Sequence, residues 1–201
     1  MIIELKDVAK GGKSRALPPT SVEFRTGEAT LVQAETEQRP TVLGLIATGR
    51  MRPDSGEVLV DGKRDTRRLR RACALVDAPI VSEPDAEVPS VGVVTEELMF
   101  AGNAANPITA RRWMADHDFA DLTMVPIGQV EPSRRIRMLA ELAADRPGVE
   151  ALVIVAPDRH GGRPRAWWRV AEDLAERGYA VLVVAGRASW ENLTGEVEAV
   201  V

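Results

Sequence analysis

The chain has 201 residues, of which 45% are hydrophobic and 28% charged, and this predicts one soluble globular domain. Its formal net charge of −4 gives no electrostatic case for nucleic acid as the main partner. No apolar run approaches the roughly 20 residues needed to cross a bilayer, so a membrane role would be peripheral. Cys73, the sole cysteine, excludes an internal disulfide and is compatible with a reducing compartment.

The N-terminal residues alternate between apolar and polar, which predicts strands at 2–8 and 21–24 and argues against a secretory signal. Residues 31–62 begin with a strand end at Leu31 and Val32 and continue through a polar loop at 33–40. A helix is predicted at 41–48, a turn at 53–56 and a strand at 57–60. Strand, loop, helix and strand in this order form the frame of a phosphate-binding loop.

Apolar runs in the rest of the chain predict buried parallel strands at 72–76, 151–155 and 180–184. The basic run 63–71 is predicted as a solvated short helix, the alternative being contact with an anionic partner. Helices are predicted at 91–101, 110–118 (with Thr109 as N-cap), from 132 onward, and at 167–176 (with Trp168 on its apolar face). A short link at 190–193 and a last strand at 197–201 complete the prediction.

This order of elements resembles the nucleotide-binding domain of ABC transporters, the ATP-binding cassette family. Residues 52–62, RPDSGEVLVDG, repeat that family's connector almost letter for letter. The resemblance covers nearly the whole chain. It implies an α/β fold like that of P-loop NTPases, with a mostly parallel sheet core, an N-terminal antiparallel β subdomain and a helical subdomain insert. It further implies a single domain over 1–201, with the helical subdomain near 79–138 and no appended regulatory domain.

The phosphate loop of that family needs the pattern G-x-x-x-x-G-K-[ST], in which backbone N–H groups and the lysine hold phosphates and the hydroxyl binds magnesium. An ungapped alignment puts Ala34 and Arg39 on the two glycines, Pro40 on the lysine and Thr41 on the hydroxyl. One gap would instead put Arg39 on the lysine and Pro40 on the hydroxyl. Thr41 is predicted to cap or begin the helix rather than to bind magnesium. The vestigial phosphate-loop positions are Ala34, Glu35, Thr36, Glu37, Gln38, Arg39, Pro40 and Thr41.

The family's signature, L-S-G-G-Q, corresponds here to Val130, Glu131, Pro132, Ser133 and Arg134. Both glycines are absent and Glu131 replaces the serine, although Pro132 suits a helix start. Ser133 and Arg134 could still hold an anion, but a capped helix start explains them without one.

The family's Asp-Glu pair, which binds magnesium and activates water, corresponds to Val155 and Ala156. Ala78 stands for the family's glutamine and Gly186 for its histidine. Asp77 is predicted as a turn residue, with replacement of the glutamine as the alternative. Asp158 could approach a metal from beyond the strand end. His160 is predicted to be inert, since no partner is visible in the sequence.

These substitutions favour a non-hydrolytic cassette that scaffolds or regulates a transport complex, cytoplasmic and peripheral to the inner face of the cell membrane. One alternative is a working ATPase subunit that binds ATP and magnesium, and another is a small-molecule enzyme that reuses the fold. No catalytic residue, cofactor or metal site is assigned. The implied partners are an integral membrane transport subunit, a second cassette, or both, with a homodimer also open. Met99, Phe100 and Trp113 are candidates for the contact, with a small local core as the alternative for each.

Overall fold

The N-terminal residues form a three-stranded antiparallel sheet in the computed structural model, which describes residues 1–12, 16–35 and 39–195. Its strands are β1 (Ile2–Lys10), β2 (Leu17–Arg25) and β4 (Ser55–Val60), with β1 in the middle. Both predicted N-terminal strands are present and are longer than the sequence pattern suggested, because the irregular residues between them also pair.

A parallel sheet of four strands follows, and every neighbouring pair within it runs in the same direction. The strands are β3 (Ala29–Gln33), β5 (Cys73–Val76), β6 (Ala151–Val155) and β7 (Ala180–Ala185). Their spatial order is β3-β7-β6-β5, so β6 and β7 are the central strands. Both central strands are buried along their whole length, which explains their uninterrupted apolar sequences.

Two hydrophobic cores lie on opposite faces of this parallel sheet. In β6, Leu152 and Ile154 join one core, whereas Val153 and Val155 join the other. This division follows from the two-residue period of a strand. The first core lies against the helices that cover one face, and the second lies between the parallel sheet and the antiparallel sheet.

Seven α-helices are present in the described residues. They are α1 (Arg39–Ala47), α2 (Thr66–Ala72), α3 (Ser90–Phe100), α4 (Pro107–Asp116), α5 (Pro132–Ala144), α6 (Pro164–Glu176) and α7 (Arg187–Thr194). α1 lies in the core between the sheets, and Gly44 allows its close approach, since a Cβ there would come within 2.7 Å of Val155 Cγ2. α3 and α4 pack on each other and form the helical layer that the sequence predicted.

Trp113 belongs to the core of this helical layer. Its ring stacks on His117 with centroids 4.0 Å apart and faces Phe119 at 6.0 Å. The indole Nε1 donates a hydrogen bond of 2.6 Å to Asp145 Oδ2, so its polar end is paired as well. With 9% of its surface exposed, Trp113 follows the local-core alternative and leaves little surface for a partner.

Two local expectations were wrong. α4 begins with Asn106 as its N-cap, and Thr109 lies three residues further on, where it completes a capping box. Residues 190–193 are part of α7 and not a link. In α6, Trp168 is partly buried and packs against the core, as its predicted place on the apolar face requires, but the fully buried tryptophan is Trp167.

The predicted strand at 197–201 lies outside the described residues. Within the described part of the chain, no helix combines the length and apolar content that a bilayer crossing requires.

Candidate functional site

The carboxyl ends of the parallel strands open into a shallow cleft. It is lined by Ala34, Glu35, Pro40, Thr41, Pro79, Ala156, Asp158, Arg159 and Gly186. Open α/β sheets bind their ligands outside this edge, where loops from several strands converge. The cleft brings together the phosphate-loop, Asp-Glu and histidine positions that the sequence marked separately.

At the phosphate-loop position, the chain after β3 is held by its own neighbours. Ala34 N donates to Ala185 O at 2.9 Å, and Glu35 Oε1 accepts from Arg187 N at 2.6 Å. The carboxylate of Glu35 is therefore bonded to the first residue of α7. Thr36, Glu37 and Gln38 lie outside the described residues.

α1 begins two residues earlier than predicted, at Arg39, which places Pro40 and Thr41 in its first turn. Pro40 has no N–H to offer at this helix start. Thr41 therefore lies in the first turn of the helix, which is the position predicted for it instead of magnesium binding.

The strand end that would carry the Asp-Glu pair has no acidic side chain. Val155 is the last residue of β6 and is fully buried. Ala156 adopts a left-handed conformation with φ 47° and donates its N–H to Val184 O at 2.7 Å. Neither side chain can bind a cation or accept a proton from water.

Asp158 follows in a 3-10 turn over Pro157–His160, and its carboxylate points to the neighbouring strand end. Oδ2 accepts from Gly186 N at 2.8 Å and lies 3.2 Å from Ser189 Oγ. Asp158 thus binds the β7–α7 connection, the place that the family's histidine would occupy. Among the described residues, no group of three or more His, Cys, Asp or Glu side chains is placed to share a metal ion.

The signature position forms the start of α5 and is internally bonded. Glu131 is the N-cap, and its Oε2 accepts from Arg134 N at 3.0 Å and from Ser133 Oγ at 2.5 Å. Burial raises the pKa of Glu131, but these hydrogen bonds outweigh it and hold the pKa below its usual value. Pro132 is the first helical residue.

The remaining signature residues, Arg134 and Val130, are bonded to a neighbour or buried. Arg134 pairs with both carboxylate oxygens of Asp121, at 2.6 and 2.7 Å, and Val130 is buried. The carboxylate of Glu131 therefore takes the helix N-terminus that an anionic ligand would use.

Sequence reasoning missed a buried ionic cluster around Asp77, which directly follows β5. The Asp77 carboxylate is 0% exposed and contacts Arg135, Arg159 and His160. His160 Nε2 lies 2.8 Å from Asp77 Oδ2, so the expectation that His160 has no partner is wrong.

Burial raises the pKa of the Asp77 carboxyl, but the hydrogen bonds from His160 and Arg135 and the nearby arginine charges outweigh that effect and place its pKa below 3.8. One signal was available in the sequence. Arg135 lies four residues before Leu139 and seven before Leu142, on the apolar face of α5. A charged residue on an apolar helix face requires a buried counter-charge.

The proposed contact residues divide into two groups. Met99 and Phe100 at the end of α3 are exposed, by 57% and 62%, whereas Trp113 is buried. Ile80 and Val81, in the loop after β5, are also exposed.

The antiparallel sheet, the parallel sheet with its cleft, and the helical layer define the fold of an ATP-binding cassette. A solved nucleotide-free ATP-binding cassette from an ABC transporter is similar to this chain with a TM-score of 0.66 and 15% identity, covering 94% of this chain and 83% of that one. cbiO1 from Clostridium perfringens, part of the ABC transporter complex cbiONQ, is similar with a TM-score of 0.61 and 16% identity, covering 92% of this chain and 78% of that one. At these identities the structural likeness establishes the fold alone.

In sequence, the chain is 26% identical over 186 residues to the ribose import ATP-binding protein RbsA 2 of Rhizobium johnstonii. The match covers 85% of this chain and 35% of that protein, so the chain spans about a third of the length of this curated relative. No family model matches the sequence. The resemblance to ABC transporter cassettes, which the sequence predicted, is confirmed.

Proposed function

We propose that this chain is a cassette-like subunit of an ABC transport complex that scaffolds or regulates its partners without hydrolysing ATP. It would act at the cytoplasmic face of the membrane, as a single domain, bound to an integral membrane transport subunit or to a second cassette. The curated relative is an import ATP-binding protein, which supports the transport context.

The observation that carries the non-hydrolytic proposal is the bonding at the cleft. Two backbone N–H groups at the carboxyl edge, those of Gly186 and Arg187, already donate to the internal carboxylates of Asp158 and Glu35. A bound phosphate would have to displace these carboxylates or be held beside them. At close range, like charges in a partly desolvated cleft repel each other.

The acidic side chains that ATP hydrolysis requires are also absent from the end of β6, where the family has them. Val155 and Ala156 supply neither a magnesium ligand nor a base for the attacking water. In cassettes that work as pairs, each nucleotide lies between one subunit's phosphate loop and the other's signature. Because this chain departs from the family at both positions, pairing with a competent cassette would leave each composite site incomplete.

Titration calorimetry with ATP and magnesium tests this proposal. We expect no micromolar binding and no phosphate release above background, with a hydrolysing cassette as the positive control. Turnover that Thr41→Ala abolishes would overturn the proposal, because it would show that the first turn of α1 still binds the nucleotide's metal.

For the contact surface, the supporting observation is the exposure of Met99 and Phe100 at one end of α3. Large apolar side chains that face solvent together are typical of a protein interface. A charge placed there should break the interface without disturbing the core.

Phe100→Glu should therefore abolish co-purification with the membrane partner from detergent-solubilised membranes. Met124→Glu is the matched control, since Met124 is 68% exposed but lies at the opposite end of α3, where Val125 O accepts from Ser90 N. If both variants keep the partner while Thr41→Val or Arg39→Ala loses it, the vestigial site senses a ligand and the scaffold proposal is wrong.

A further inference from the structure

We infer that Asp77 and the three basic side chains that contact it form a latch that fixes α5 to the carboxyl edge of the parallel sheet through contacts within the chain. The latch consists of Asp77, Arg135, Arg159 and His160. This inference goes beyond the proposed function and does not depend on whether ATP binds.

The central contact of the latch joins the sheet to α5. Arg135 Nη2 donates to Asp77 Oδ1 at 2.8 Å, and Arg135 Nε donates to Asp77 Oδ2 at 3.1 Å. This two-pronged geometry fixes both the distance and the orientation of the guanidinium. Arg135 Nη1 also donates to Ile127 O at 3.1 Å, so the same side chain holds the turn that precedes α5.

The other two side chains of the latch come from the turn after β6. His160 Nε2 donates to Asp77 Oδ2 at 2.8 Å. Arg159 Nη2 lies 3.0 Å from Asp77 Oδ1 and 3.3 Å from Glu83 Oε1, close enough for ion pairs but without hydrogen-bond alignment. Arg159 Nη1 donates to Val155 O and Ala156 O, which ties the guanidinium to the end of β6.

Burial makes this arrangement specific to one geometry. The side chains of Asp77 and Arg135 are 0% and 2% exposed, so neither can exchange its partner for water. A buried ion pair contributes little net stability, because desolvation offsets the attraction, but a shift of α5 would leave the buried Arg135 guanidinium without its counter-charge. The latch therefore acts mainly on position.

The location of the latch affects whether a ligand in the cleft can move α5. A ligand moves an element only by binding one of its positions better than another. Here a carboxylate of the chain itself already holds α5 at the sheet edge where ligands of α/β folds bind. α3 packs on α5, so the position of the helical layer is set by Asp77 and not by a ligand in the cleft.

Hydrogen exchange of the full chain, followed by mass spectrometry, tests the latch. Asp77→Asn should raise exchange about tenfold or more in peptides covering 127–137 and 157–161, with little change in β1 and β2. Asp121→Asn is the matched control, because Asp121 pairs with Arg134 on the same helix but is 63% exposed. We expect it to change exchange by less than about twofold. A uniform rise across the chain, or no rise near α5, would overturn the inference.

An apolar double variant, Asp77→Leu with Arg135→Met, keeps the test decisive if Asp77→Asn does not fold. Replacing a buried pair by apolar side chains often preserves the fold. The latch predicts a cooperative thermal transition together with fast exchange at the start of α5. Full protection there would show that the charges do not fix the helix and would refute the inference.

Discussion

Gly56→Ala should destabilise the chain far more than its position on a strand suggests. Gly56 has φ 76°, a conformation that costs an alanine about 1–2 kcal/mol. An added Cβ would lie 2.3 Å from Lys6 O and 2.4 Å from Asp7 O, both backbone atoms of β1. Relieving this overlap requires a backbone shift, for which overpacking costs of about 1–3 kcal/mol apply. The expected loss in the free energy of unfolding is the sum, about 2–5 kcal/mol.

Gly62→Ala separates the two contributions. Gly62 has φ 73°, but a Cβ there would meet nothing within 4 Å. Only the conformational cost of about 1–2 kcal/mol should remain. Urea denaturation of both variants, followed by circular dichroism, gives the comparison. Equal losses within about 0.5 kcal/mol would refute the argument from close approach.

Three further predictions follow from buried groups. Ile154→Ala should lower the free energy of unfolding by about 2–5 kcal/mol, because Ile154 is 1% exposed in β6; a loss well under about 1 kcal/mol in urea would contradict that placement. Burial raises the pKa of Cys73 to about 12, so the native thiol should resist iodoacetamide near about pH 8 and react in urea, and equal labelling rates would count against it. The pKa of the Asp77 carboxyl is lower in the folded state than its usual 3.8, so its charged form contributes stability that is complete above about pH 4 and is lost as the pH falls through the folded-state pKa. Asp77→Asn should therefore flatten the acid limb of a plot of Tm against pH, and an unchanged slope would exclude that role.

The parallel core could be predicted from the sequence because burial on both faces permits few residue types. The runs in β5, β6 and β7 are apolar at almost every position, and no surface helix tolerates such a sequence. The choice between Trp167 and Trp168 was also present in the spacing. Trp167 is followed by apolar residues three, four and seven positions later, which is the pattern of a buried helix face.

The ionic cluster could not be predicted in full, because its members are distant in sequence. Asp77 is 58 residues from Arg135 and 83 from His160, and only the fold brings the ends of β5 and β6 beside α5. α7 was missed for a related reason. Its first residue is placed by the contact between Arg187 N and Glu35, 152 residues apart, which no local pattern reports.

The connector at 52–62 and the cleft at the sheet edge are built from different residues and serve different purposes. In the connector, Asp54 accepts from Lys10 Nζ at 2.5 Å and from Gly11 N at 2.9 Å, and Gly56 allows the backbone of β1 to pass. These contacts join β4 to β1 and involve no residue of the cleft. At the cleft, the side chains of Ala156 and Glu35 decide what the site can bind. These side chains can be substituted while the backbone keeps its course.

A chain can therefore keep the connector of a cassette while its catalytic positions change, because the connector serves the fold and the catalytic side chains serve the reaction. This is why likeness in the connector supports the fold here, whereas the bonding of Glu35, Asp158 and Asp77 at the sheet edge bears on function. If those carboxylates hold the edge as we propose, the partner and not the nucleotide decides what the chain does.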